Sequence, residues 1–127
     1  FDPANNAVHA AEVLELLGPG SALVAGDFNA EPGSPSMELF RTSGRFRAGF
    51  GGPATFPARA PTRRIDSILV PADWVGELEE EVLDVDLSDH EPVLLVVPGD
   101  PLRRPVPPAG PDGPRRTGRA RKHPGVV

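Results

Sequence analysis

Ala22-Leu23-Val24-Ala25-Gly26-Asp27-Phe28-Asn29 is a short apolar run that empties into polar residues, and it reads as a buried strand over residues 22–25 with its functional groups at the C-terminal end. Two further segments repeat the arrangement. Ile65 to Val70 reads as a strand that places Asp66, Ile68 and Val70 on one face and Ile65, Ser67 and Leu69 on the other. Pro92 to Val97 is a final apolar strand preceded by Ser88-Asp89-His90. Strand ends in one layered domain can converge, so Asp27 with Asn29, then Asp66, then Asp89 with His90 form one candidate site.

Working outward, Asn5 or Asn6 is suited to cap a helix that carries Val8, Ala11, Val13, Leu14, Leu16 and Leu17 at helical spacing and stops at Gly18-Pro19-Gly20. Ser34 at the N-cap with Pro35 behind it predicts a short helix to about Arg41, because Pro at the first position forfeits no hydrogen bond. Thr42 to Pro61 is rich in Gly, Pro, Ala and Arg and reads as a long loop, where substrate selectivity is expected. Another strand is expected around Val82 to Val85.

Composition divides the chain. Residues 1–97 carry six basic against sixteen acidic side chains, and residues 98–127 seven against two. The acidic body argues against a broad electrostatic surface for duplex DNA. The tail, dominated by Pro, Gly and Arg, is expected to be disordered, so the domain is placed at 1–97 and the basic tail at 98–127. There is no cysteine, so any metal must use oxygen or imidazole ligands. No apolar run of about twenty residues is present to span a bilayer, which leaves the compartment open with the cytoplasm as the working expectation. The chain begins at Phe1 and has its single methionine at Met37, and it reads as a fragment.

Carboxylates and an amide are hard oxygen ligands, suited to Mg²⁺ or Mn²⁺ and to phosphate chemistry. Phosphoester hydrolysis requires an aimed water, charge neutralisation at the phosphoryl oxygens and a positioned proton donor or acceptor. Asp27, Asn29, Asp66 and His90 can meet those demands with a metal, and Asp66 is the candidate to hold His90. Each residue also has a simpler reading. Asp27 and Asn29 can satisfy a turn after a strand; Asp89 and His90 can cap a loop; Asp66 can be buried in an ion pair with Arg63 or Arg64. Arg59, Arg63 and Arg64 can contact phosphate, although loop arginines more often face solvent.

Gly26-Asp27-Phe28-Asn29, Arg64-Ile65-Asp66-Ser67-Ile68-Leu69 and Ser88-Asp89-His90-Glu91-Pro92-Val93 resemble, in order, the last three motifs of the endonuclease/exonuclease/phosphatase superfamily. Thr55-Phe56-Pro57 resembles its Thr-aromatic-Pro element, while Ser67 stands where the family often has Tyr. The resemblance implies an α/β (α+β) fold, part of a four-layer α/β sandwich of deoxyribonuclease I type, with one sheet and its flanking helices here. It also implies a metal-dependent phosphoesterase, most simply a phosphodiesterase or nuclease, using Mg²⁺ or Mn²⁺. In that scheme Asp27 activates water beside the metal and Asn29 binds the phosphate. Asp66 polarises His90, Asp89 lies at the metal, and His90 contacts the phosphate and moves a proton. The family's first half, with its Asn, metal-binding Glu and His, has no counterpart in this sequence and is an expected partner. Nucleic acid, lipid headgroup and inositol phosphate are all compatible substrates. The alternative is an incompetent remnant that acts as an interaction module through an exposed sheet face or the basic tail.

Overall fold

The computed structural model describes residues 2–97 together with 99 and 100; the expected tail lies, apart from those two positions, outside the described residues. Helix α1 spans Pro3–Leu16. It starts earlier than Asn5 or Asn6 because Asp2 holds extended backbone and its carboxylate accepts from the Ala4 N–H at 3.0 Å, while Pro3 occupies a first-turn position that needs no donor. Both asparagines therefore lie inside the helix. Helix α2 spans Pro35–Thr42 behind Ser34, as expected, although the Ser34 hydroxyl makes no capping bond.

Five strands follow the sequence as β1 (Val24–Asp27), β2 (Phe46–Ala48), β3 (Asp66–Pro71), β4 (Glu79–Val82) and β5 (Val93–Val96). They divide between two sheets where one was expected, an antiparallel three-stranded sheet in the order β1-β3-β2 and an antiparallel β4-β5 ribbon. Strand β2 was hidden inside the supposed Thr42 to Pro61 loop, since three residues between glycine-bearing turns leave no readable alternation. Its path hugs β3: at Gly49, with φ of +104°, a Cβ would come within 2.2 Å of the Ile68 carbonyl oxygen. The strand expected at Val82 to Val85 instead runs over Glu79–Val82, because pairing with the apolar β5 carries the three glutamates despite their poor strand propensity.

The helices pack on each other and cover one face of the three-stranded sheet. Ala10, Met37, Phe40, Phe46 and Leu69 form a buried cluster there, with Val13, Leu17, Val24 and Phe28 against it. Phe40 meets Phe28 and Phe46 edge to face at 5.6 and 6.0 Å. Ser67 and Leu69 alternate onto the covered side of β3, whereas Asp66 and Ile68 remain partly exposed on the other. The first strand is not buried as its sequence suggested. Ala25, Gly26 and Asp27 are exposed, because β1 is an edge strand and helices cover one side only. In β5, Leu94 and Val96 are 43% and 44% exposed, so apolar surface is left open on the ribbon too. No described helix is long and apolar enough to cross a membrane.

Candidate active site

The β1–β3 register sets Asp27 directly opposite Asp66, at the end of the sheet where β1 leaves and β3 begins. Beyond β1 the chain turns sharply, with Asn29 in left-handed backbone at φ of 50°, a conformation Asn tolerates better than most residues. The Asn29 N–H donates to Asp27 Oδ1 at 2.7 Å, and the Asn29 carbonyl accepts from Asn6 Nδ2 of α1 at 3.2 Å. The simple turn reading of Asp27 and Asn29 is thus realised. It occupies one carboxylate oxygen and leaves Oδ2 turned toward the imidazole, 3.9 Å from His90 Nε2.

Asp66 does not pair with Arg63 or Arg64. Its Oδ2 lies 2.8 Å from His90 Nδ1 and 2.7 Å from the Thr55 hydroxyl. Thr55 is fully buried, and its oxygen accepts from the Ile65 and Asp66 N–H groups, each at 3.3 Å. A hydroxyl has one proton to give, and here it goes to Asp66. That carboxylate is consequently an acceptor, Nδ1 of His90 carries the proton, and Nε2 is the atom presented to the cleft. Phe56 completes the setting, its ring centroid 4.8 Å from that of the imidazole at a 44° tilt.

The Asp66 hydrogen bond holds His90 above the ordinary histidine value near 6.5; partial burial opposes this, and the charges of Asp66, Asp27 and Asp89 reinforce it. More imidazolium is therefore present near neutrality than in a free histidine. Because the folded value is raised, the stabilisation is complete below about pH 6.5 and is lost as pH rises through the folded value. A ring titration followed by NMR should find His90 protonating above 6.5 in the wild type and moving down in Asp66→Asn. An unshifted midpoint in the wild type would contradict the pairing.

Asp27, Asp66 and His90 each offer a ligand atom within 4.8 Å of the others, the one such group among the described residues. As a metal cage the trio fits poorly. Asp66 Oδ2 already accepts two hydrogen bonds and Nδ1 of His90 is engaged, so Asp27 Oδ2 is the carboxylate oxygen best placed for a hard cation. Asp89, expected at the metal, does not join them. It is exposed, accepts from Ser88 Oγ at 3.2 Å, and its carbonyl takes the Ala58 N–H at 2.9 Å. These residues fit one edge of a divalent ion's shell.

A cleft of about 400 Å³ runs past Asp27, Asp66 and His90, with Ile68, Pro92 and Val93 forming its apolar wall. Three side chains that support the site carry no signal of that role in the sequence. Asn6 read as a helix cap, and only the chain's return placed it under Asn29. Thr55 and Phe56 were visible as a motif, but their contacts with Asp66 and His90 depend on tertiary folding.

A carboxylate-oriented imidazole facing a second carboxylate in an open cleft can exchange protons with a group bound between them. The endonuclease/exonuclease/phosphatase family model matches residues 4–90, and the chain belongs to that family, whose members are typically divalent-metal-dependent hydrolases of phosphate esters. No curated protein and no solved structure matches the chain significantly.

Proposed function

We propose that this chain is the catalytic half of a phosphodiesterase that uses Mg²⁺ or Mn²⁺. The observation that carries the proposal is the alignment of Asp66, His90 and Asp27, with Nδ1 held at 2.8 Å and Nε2 left 3.9 Å from the second carboxylate. Asp27 Oδ2 orients a water and accepts its proton. Asn29 contacts a phosphoryl oxygen from its left-handed turn, and imidazolium at His90 faces the negative charge on the phosphoryl oxygens or donates to the departing oxygen. A divalent cation held at the Asp27 end of the cleft would supply charge neutralisation at the phosphoryl oxygens.

The shell of such a cation needs more oxygen ligands than Asp27 offers, and β1, Leu94 and Val96 leave apolar surface open. Both features support a second half-domain that covers the open face and contributes the remaining carboxylate. The same open surface supports the alternative of a remnant acting as an interaction module.

The deciding experiment is hydrolysis of bis(4-nitrophenyl) phosphate, with and without Mg²⁺ or Mn²⁺, by this chain and by a version extended through its upstream coding sequence. Metal-dependent turnover by the extended protein is expected, abolished by EDTA. If neither protein hydrolyses this ester or a panel of nucleotide, lipid-headgroup and inositol phosphodiesters, the enzyme reading falls and the interaction module takes its place.

A further inference from the structure

Asp66 and His90 meet across a structural division. Asp66 opens β3 in the three-stranded sheet, whereas His90 lies on the approach to β5, in the separate β4-β5 ribbon. Main-chain bonds tie the Thr55 loop to the His90 segment, from Glu91 N–H to the Thr55 carbonyl at 2.8 Å and from Ala58 N–H to the Asp89 carbonyl at 2.9 Å. A side-chain tie lies close by. Arg64, two residues before Asp66, is 5% exposed and donates from one guanidinium nitrogen to Glu80 Oε1 in β4 at 2.6 Å and from the other to the Pro53 carbonyl at 3.2 Å.

The chain is shaped around this pair. Gly52 has φ of +131°, and a Cβ there would come within 2.9 Å of the guanidinium and 3.2 Å of Glu80 Oε1. Stability is a poor account of it, since Nε of Arg64 is buried without a hydrogen-bond partner and a desolvated ion pair often contributes less than apolar residues of the same volume. What such a pair can supply is a single geometry. Here it joins β4, the approach to β3 and the loop leading to Thr55, the three pieces that set the Asp66–His90 spacing.

We propose that Arg64 and Glu80 are positioning residues for the Asp66–His90 pair, fixing the ribbon that carries His90 against the sheet that carries Asp66. The role rests on the phosphodiesterase reading for its kinetic consequence, though its geometry can be read separately. In the extended protein, Glu80→Ala is expected to lower kcat by about 10-fold to 10²-fold, the effect of a displacement near 1 Å, with KM within about twofold. Glu80→Gln keeps the accepting oxygen and should retain most of the activity. The double variant Arg64→Met/Glu80→Leu removes the charges while filling the space, so it should unfold no more easily than the wild type yet share the loss in kcat.

Imidazole ¹⁵N shifts of the neutral ring provide the readout that needs no turnover. His90 should show a fixed Nδ1–H tautomer in the wild-type chain and a mixture in the double variant. A double variant that keeps the Nδ1–H tautomer, or that is folded and turns over at the wild-type rate, overturns the positioning role. Absence of turnover in the extended wild-type protein, with the tautomer change still present, would count against the phosphodiesterase reading alone.

Discussion

Asp27→Asn and His90→Ala, each made in the extended protein, are expected to lower kcat/KM toward a phosphodiester by about 10³-fold, in the range that a positioned acid or base contributes. The two variants isolate chemistry from folding. In Asp27→Asn the side-chain oxygen can still accept from the Asn29 N–H, now at 2.7 Å, so the turn after β1 survives while the base is lost. His90 is partly exposed and lies outside the buried cluster, so its truncation removes the imidazole without opening the core. Circular dichroism and thermal unfolding should be near wild type for both. Metal-dependent hydrolysis retained in both variants would mean that these residues are not the catalytic pair.

Thr55→Val should produce the largest stability change of a single-atom replacement at this site. The substitution preserves shape but removes a hydroxyl that accepts two backbone N–H groups and donates to Asp66. Leaving such buried groups unpaired costs about 2 kcal/mol, which lowers the unfolding midpoint of a unit of this size by roughly 10 °C. Activity should fall as well, since Asp66 loses the bond that fixes the rotamer from which it holds His90. Thr55→Ser restores the hydroxyl and should recover both properties. A Val variant with the wild-type midpoint would show that the 3.3 Å contacts contribute little, and a wild-type kcat would remove Thr55 from the support of the site.

These effects arise from groups that differ in how plainly the sequence exposed them. Asp27, Asn29, Asp66 and His90 stood out as candidates because each is a polar residue at the margin of an apolar strand, in motifs whose order is itself informative, and the structure brings them together. Thr55 was readable as part of a motif and silent about its contacts. Arg64 was misread as a solvent-facing arginine or a partner for Asp66, since one-dimensional spacing does not tell which carboxylate a long side chain reaches; it is 5% exposed and paired with Glu80. Asp89 was expected beside the metal with Asp27, yet its carboxylate lies outside the cluster that Asp27, Asp66 and His90 form.

By itself the sequence determined the elements whose cause is local. These are a helix behind Ser34-Pro35, strands over Ile65 to Val70 and at Val93, and a first strand that begins two residues later than the expected 22–25, at Val24–Asp27, together with residue types able to move protons and bind phosphate. Tertiary structure decided what depends on partners distant in the chain. Glutamates became strand β4 because β5 offered backbone hydrogen bonds, and β2 formed because β3 lay beside it. Strand β1 stayed exposed because the helices cover one face of its sheet. The tautomer of His90 was settled there too, by a threonine eleven residues before Asp66, since the direction of a hydrogen bond follows from which donors and acceptors the fold brings together.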